Sequence, residues 1–410
     1  MDNFNDTLKK YAELAVKVGV NIQKDQTLVI NSTIECAEFV RLMAKEAYAA
    51  GAKDVHVEWA DEELTLIKFM SAPYDTFKEF PKWKADGYEE LAKNGAAFIS
   101  ISASNPELLK DVDPKRISEF NKTRSGSMKK HREYIMNSTV SWCVVSMPTF
   151  GWAKKVFPDL SEEEAVEKLW GKIFKIVRVD KDNPVEAWND HLNNLQNKVD
   201  FLNGKKFKKL HYASKDTDLS IELPEKHLWA GGGEYNSKKT YFVANMPTEE
   251  VFTLPLKTGV NGKVKSTKPL NYSGNLIDNF TLTFKDGRII DFSAEKGYET
   301  LKKLIETDEG SHYLGEVALV PNDSPISNSN IIFYNTLFDE NASCHLALGE
   351  AYPICLEGGT EMNSEELQKA GANNSLTHVD FMIGSAELNI TGETKDGEIV
   401  DIFKNGNWAF

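Results

Sequence analysis

Thr27-Leu28-Val29-Ile30-Asn31, then a helix-patterned stretch from Ala37 to Ala50 closed by Gly51, then Val55-His56-Val57-Glu58-Trp59: this strand–helix–strand order decides the fold of the first half of the chain. Ala97-Phe98-Ile99-Ser100-Ile101 and Val140-Ser141-Trp142-Cys143-Val144-Val145 repeat the short, apolar, β-branched texture. Such runs separated by helices imply a parallel sheet with crossover connections. Asp6 to Val18, Glu162 to Phe174 and Pro184 to Leu202 read as further helices, the last dotted with Trp188, His191 and Leu195.

The texture changes after Asn203-Gly204. Strand patterns and tight turns dominate from Phe207 onward, and Lys285-Asp286-Gly287-Arg288 and Lys395-Asp396-Gly397-Glu398 each place Asp-Gly between runs rich in apolar residues, a hairpin signal. At 410 residues the chain is too long for one ordinary core. The expected architecture is therefore α/β and α+β. Residues 1–205 form an N-terminal α/β domain with a mainly parallel sheet. Residues 206–410 form a mixed, strand-rich C-terminal domain that carries the candidate site.

Composition narrows the function. A hydrophobic share of 41% and a charged share of 27% are those of a soluble globular protein. No run of about 18 apolar residues predicts a membrane helix. The opening Met1-Asp2-Asn3-Phe4-Asn5-Asp6 is polar and acidic, and Lys9, Lys10, Glu13 and Lys17 interrupt the Leu8 to Val20 segment. That pattern predicts a surface helix rather than a signal peptide, and a cytoplasmic protein. A net charge of −14 disfavours nucleic acid as a partner. The basic run Lys205-Lys206-Phe207-Lys208-Lys209 is read as a solvated strand edge, where lysine blunts edge pairing. The four cysteines, Cys36, Cys143, Cys344 and Cys355, lack CxxC spacing and are read as free thiols.

Candidate chemistry concentrates between Glu250 and Asp380. Thr377 to Ile383 reads as a strand with Val379, Phe381 and Ile383 on one face, so His378 and Asp380 project together from the other. They can hold one metal between them, or form a solvated His–Asp hydrogen bond. Glu316 interrupts the otherwise apolar Gly315-Glu316-Val317-Ala318-Leu319-Val320. A Glu buried there would shift its pKa or pair with a cation, whereas a Glu at an exposed strand start would do neither. Glu250 opens a strand-like run to Leu254; Glu249 is equally acidic, and periodicity does not choose which faces inward. His345 is placed in a predicted helix from Asn341 to Ala351, with Glu340 near its start and Tyr352 two turns after His345. Helix-start acid, core histidine and packing tyrosine are their ordinary readings. Cys344 adjoins His345 but points elsewhere on a helix, so it is a poor co-ligand.

Other chemistries lack their signatures. There is no HExxH, HxxEH or Walker loop, and no GxSxG for a serine hydrolase. Gly231-Gly232-Gly233-Glu234 has no strand–loop–helix pattern around it and reads as a turn rather than a phosphate cradle. Mixed Glu/Asp/His sets are what zinc, cobalt, manganese or magnesium accept.

Taken together, these phrases resemble the thermophilic metallo-aminopeptidase family, the aminopeptidase T and aminopeptidase S group. Tyr11 to Gln23 resembles its opening helix. Asn245-Met246-Pro247-Thr248-Glu249-Glu250-Val251-Phe252-Thr253, Leu314 to Val320, Asn335 to His345 and His378-Val379-Asp380-Phe381-Met382-Ile383-Gly384 resemble its metal-site blocks. The resemblance implies two divalent ions per subunit, zinc or cobalt first and manganese or magnesium next. Their ligands would be Glu250, Glu316, His345, His378 and Asp380, with Glu340 as a sixth and Tyr352 lining the site. It also implies Glu250 over Glu249, catalysis through Glu316 and Tyr352, and a cytoplasmic homodimer that encloses its active sites and acts on short peptides. A bridging carboxylate and several terminal ligands would hold ions about 3.5–4 Å apart, so no separate Ser or Cys nucleophile is needed. A two-metal amidase or esterase on a non-peptide substrate, and a non-catalytic scaffold stapled by its metal, are the alternatives. A closed structural site would be expected to use four saturating ligands, commonly cysteines.

Overall fold

The computed structural model describes residues 4–272 and 275–410. Met1–Asn3, the start of the polar N-terminal stretch, lie outside the described residues.

Four predicted strands pair as a parallel sheet. Their spatial order is Asp54–Ala60, Thr27–Thr33, Ala97–Ser102, Trp142–Ser146. Thr27–Thr33 has a neighbour on both sides, and Leu28, Val29 and Ile30 are fully buried, as an unalternating apolar run requires. The crossover helix Ala37–Ala49 buries Phe39, Val40, Met43 and Ala47, a single stripe at helical spacing. It stops at Gly51, whose φ of 96° suits glycine. Helix Glu162–Ile176 begins with a capping box between Ser161 and Glu164.

Most strands of the strand-rich half lie in two antiparallel sheets, with Glu234–Tyr235 and Tyr241–Phe242 paired as a separate two-stranded one. The larger runs Leu270–Tyr272, Asn275–Lys285, Val260–Lys265, Asp218–Glu222, Phe207–Ala213, Asn389–Thr394, Ile399–Lys404, Asn407–Trp408, with Arg288–Lys296 also on Asn275–Lys285. Both Asp-Gly signals form hairpins. Asp286 and Gly287 take φ of 49° and 81°, the left-handed pair of a two-residue turn. A Cβ on Gly287 would sit 1.8 Å from the Lys257 carbonyl oxygen, so no other residue fits. Phe207–Ala213 corrects one expectation. It is paired on both sides, so its lysines mark a solvated face rather than an edge, and Lys208 reaches Glu393 at 2.6 Å.

Two compact units emerge. One gathers the chain up to Leu192 with Gly233–Thr248 and Ile332–Leu337; the other gathers Asn193–Gly232, Glu249–Ile331 and Phe338–Phe410. We keep 1–205 and 206–410 as the proposed division along the chain, with short segments interleaved between units. Cys36, Cys143, Cys344 and Cys355 are buried and form no disulfide.

The core of the second unit sets a stability expectation. Leu282 is fully buried, whereas Ile290 on the neighbouring strand is 58% exposed. Leu282→Ala is expected to cost about 2–5 kcal/mol and Ile290→Ala within about 0.5 kcal/mol. Urea unfolding compares the two directly; equal costs would contradict the packing described.

Candidate metal centre

The smaller antiparallel sheet carries the candidate residues. Its order is His378–Met382, His345–Gly349, Leu314–Leu319, Val251–Thr253, Ala230–Gly231. One face packs into the unit's core through Val251, Leu314, Val317, Leu319, Leu346, Leu348 and Phe381. Alternation then directs Glu250, Phe252, Glu316, Ala318, His345, Ala347, Gly349, His378 and Asp380 to the other face. The register aligns Glu316, Ala347 and Asp380 in one row and Ala318, His345 and Met382 in the next. The small residues Ala318, Ala347 and Gly349 leave room between the polar side chains.

A bulge makes this arrangement possible. The register slips between Leu314 and Glu316, so Leu314 and Val317 can both face the core. The extra residue is Gly315, whose missing Cβ would lie 2.2 Å from the Glu350 carbonyl oxygen. Register also separates the acidic pair. Phe252 lies opposite Ala318, so Glu250 shares the face of Glu316 and Glu249 does not. Both are nevertheless buried. Gly231 allows the edge strand to close on Glu250, since a Cβ there would meet the Glu250 carbonyl oxygen at 2.7 Å.

Each oxygen of Glu316 faces one histidine. Oε1 is 3.6 Å from His345 Nε2 and Oε2 is 3.3 Å from His378 Nε2. His345 Nε2 is also 3.1 Å from Glu250 Oε2, and His378 Nε2 is 3.6 Å from Asp380 Oδ1. Two groups of potential ligand atoms result, Glu250–Glu316–His345 and Glu316–His378–Asp380, and Glu316 belongs to both. The rings are held from behind. His345 Nδ1 is 3.2 Å from the Ser343 carbonyl oxygen and His378 Nδ1 is 2.8 Å from that of Glu350. A carbonyl only accepts, so Nδ1 carries a proton in each ring and Nε2, which faces the carboxylates, is the nitrogen that would ligate a metal once deprotonated.

The site's electrostatics are those of a crowd of buried acids. Burial pushes Glu250 up more than its contact with His345 pulls it down. Burial likewise raises Asp380 despite the charge of His378. Glu340 is raised well above the carboxylate range, by burial first and then by the charges of Asp380 and Glu250. Burial opposes the charge on Glu316, but the two histidines outweigh it and hold its carboxyl at about 2. Conversely, burial favours neutral histidine, yet the acids push His378 up to about 9 and His345 well above its ordinary value. Burial, with the charges of Glu316 and Asp380, keeps the Tyr352 hydroxyl protonated far above its usual range.

A divalent cation fits this donor set. Glu250 Oε2 and Asp380 Oδ1 are buried and make no hydrogen bond; the 3.1 Å approach of His345 to the former lacks hydrogen-bond geometry. Leaving such oxygens uncompensated is costly, and a shared cation removes the cost.

Two sequence expectations change here. Asn341–Ala351 is not a helix: Glu340–Ala342 is one 3-10 turn and His345–Gly349 is a strand paired on both sides. His345 and Tyr352 therefore do not share a helix face. Tyr352 arrives after the strand, with its ring 4.8 Å from that of His378 and 5.9 Å from that of Phe252. Cys344 still stands apart, its Sγ against the Val320 amide and carbonyl at 3.4 Å. Glu340 lies in neither ligand group. Sequence reading missed Asn341, fully buried between the two acidic segments. Its Oδ1 accepts the Glu249 amide at 2.7 Å and its Nδ2 lies 3.4 Å from Glu340 Oε1. An amide beside Glu340 was the only signal available.

Comparison with known proteins agrees with this geometry. The thermophilic metalloprotease family (M29) matches residues 4–408. The chain belongs to this family. Aminopeptidase AmpS of Bacillus subtilis is 59% identical over 410 residues, covering all of both chains. Aminopeptidase T of Thermus aquaticus is 41% identical over 409 residues, again covering 100% of each. The solved structure of wild-type AmpT from Thermus thermophilus superposes with a TM-score of 0.93 at 39% identity, covering 99% of this chain and 100% of that one. This M29 metalloprotease thus shares its α/β and strand-rich architecture with a solved relative.

The raised histidines would make metal uptake at this site pH-dependent. A metal held here would take neutral imidazole, so His345 and His378, both raised, would have to shed a proton to ligate it. Affinity is therefore expected to climb as pH rises towards about 9, where the metal-free His378 titrates. Calorimetry at a pH of about 7.5, in buffers of different ionisation enthalpy, should show net proton release. Zinc uptake with no proton release would contradict the assignment.

Proposed function

We propose that this metalloprotease releases N-terminal amino acids from short peptides, using two divalent ions held by Glu250, Glu316, His345, His378 and Asp380. The observation that supports this most is Glu316, one buried carboxylate presenting each oxygen to a different histidine and belonging to both ligand groups. Glu250 and His345 complete one group and His378 and Asp380 the other, with Glu340 as a further ligand. Zinc or cobalt suits this mixed N/O set best, with manganese and magnesium as weaker fits. Ions bound there would lower the pKa of water and polarise the scissile carbonyl.

The chain's own side chains supply the rest. Glu316, fully ionised, sets the centre's negative charge. Tyr352, lining the site beside His378 with a hydroxyl that keeps its proton, is the donor available to a developing oxyanion. A site carboxylate or one of the ions would take the substrate's free α-amine, which an aminopeptidase must read. No described helix is long and apolar enough to cross a membrane. Cytoplasmic location and a homodimer enclosing its active sites, which would restrict substrates to short peptides, belong to the same proposal.

Two outcomes are expected. Peptides with a free α-amine are cut one residue at a time, their N-acetylated twins are not, and a chelator abolishes the activity until cobalt or zinc is restored. Equal cleavage of both twins would indicate a general amidase, and full activity in metal-stripped protein would remove the metal from the mechanism.

Glu316→Gln keeps the side chain's size but not its charge. Removing a direct ligand should exceed the roughly 10–100-fold loss typical of outer-shell changes, with the fold intact by circular dichroism. Near-parental turnover would mean that Glu316 only pairs with its neighbours.

A further inference from the structure

We propose that Asp308, which lies outside both ligand groups, is a positioning residue for His378. This rests on the reading of His378 as a metal ligand. Asp308 follows helix Tyr298–Ile305, in a turn that is remote along the chain from His378. Its carboxylate is saturated. Oδ1 accepts the Ser311 amide, the Ser311 hydroxyl and the Ser375 hydroxyl, each at 2.8 Å; Oδ2 accepts the Leu376 amide at 2.6 Å. Two of these donors belong to the turn that leads into the His378 strand.

The clamp continues to the ring. Ser375 Oγ is 3.2 Å from Thr377 Oγ1 and accepts the Thr377 amide at 3.2 Å, while Ser311 Oγ is 3.2 Å from Thr377 Oγ1. The Thr377 carbonyl accepts the Glu350 amide at 2.7 Å, and the Glu350 carbonyl accepts His378 Nδ1 at 2.8 Å. The Glu350 carboxylate grips the same turn through the Ser375 amide and Asn374 Nδ2. Asn373 ties the strands together, its Nδ2 donating to the Gly310 carbonyl at 2.8 Å and the Gly349 carbonyl at 2.7 Å.

Close backbone packing leaves this network little slack. A Cβ on Gly310 would lie 2.0 Å from the Asn374 carbonyl oxygen, and one on Gly349 would lie 2.1 Å from that of Thr377. Three segments, 308–311, 349–351 and 373–378, therefore move as one, and the element they deliver is the His378 ring. Four donors also favour the ionised form of Asp308: burial raises its carboxyl, but the Leu376, Ser375 and Ser311 hydrogen bonds leave it below the ordinary value. Outer groups that orient a ligand typically tune metal affinity or activity by about 10–100-fold.

The test uses full-length Asp308→Asn and, as a milder cut in the same chain of bonds, Ser375→Ala. The side-chain amide introduced by Asp308→Asn cannot accept at both positions, so one donor is left facing an NH2 group. Zinc titration by calorimetry should show one ion weakened about 10–100-fold in Asp308→Asn, with a smaller loss of the same kind in Ser375→Ala. In metal-free protein labelled with 15N-histidine, the His378 ring signals should move while those of His345 stay. Wild-type zinc affinity and an unmoved His378 signal in folded variants, even with a lower melting temperature, would overturn the proposal and leave Asp308 a purely structural residue. If the parent protein takes up no divalent ion, the reading of the metal centre fails. The His378 signal then still decides whether Asp308 positions the ring.

Discussion

Mutual repulsion among buried carboxylates is the constraint on which this structure turns. Glu250, Glu316 and Asp380 converge on one sheet face with Glu340 nearby, and the histidines His345 and His378 stand between them. Even with both rings protonated, four acids against two imidazolium groups leave negative charge in a poorly solvated place. Low dielectric magnifies that cost. In the metal-free protein burial and the neighbouring acids raise the carboxyls of Glu250 and Asp380 and carry that of Glu340 well above the carboxylate range, while the same acids raise both histidines. Divalent cations would answer it better, because they would satisfy the Glu250 and Asp380 oxygens that make no hydrogen bond and return the histidines to the neutral form that ligates.

The fold is arranged to impose this repulsion. An apolar core on one side fixes the register of the small sheet, and a slip of one residue would turn every ligand candidate towards that core. The Gly315 bulge sets Glu316 on the open side while keeping Leu314 buried. Alanine and glycine fill the positions between the polar side chains. Backbone carbonyls of Ser343 and Glu350 then set both imidazole tautomers. Stability held in the core is thus what holds like charges together.

Much of this was legible in the sequence, and for identifiable reasons. The His378–Met382 and Leu314–Leu319 strands follow from strict alternation or from an apolar run broken by one acid, both local signals. The parallel sheet follows from unalternating runs between helices, and the Asp286-Gly287 hairpin from a turn that only such residues make. His345 misled because Ala, Leu and Glu around it favour a helix; pairing with strands on both sides overrides that preference. Lys208 misled because only strand order, a long-range property, distinguishes an edge from a solvated face. Periodicity alone does not separate Glu249 from Glu250; the family resemblance favours Glu250, and register against Ala318 sets it on the face of Glu316. Asn341 and Asp308 bond the Glu249 and Leu376 amides, partners distant in the chain that no local pattern announces.

The central claim is that Glu316 is shared by two cations. Anomalous diffraction from crystals grown with zinc, recorded on both sides of the zinc absorption edge, tests it most directly. The account predicts two anomalous peaks per chain, both within bonding distance of Glu316, one beside Glu250 and His345 and the other beside His378 and Asp380. A single peak, or ions bound away from Glu316, would contradict it.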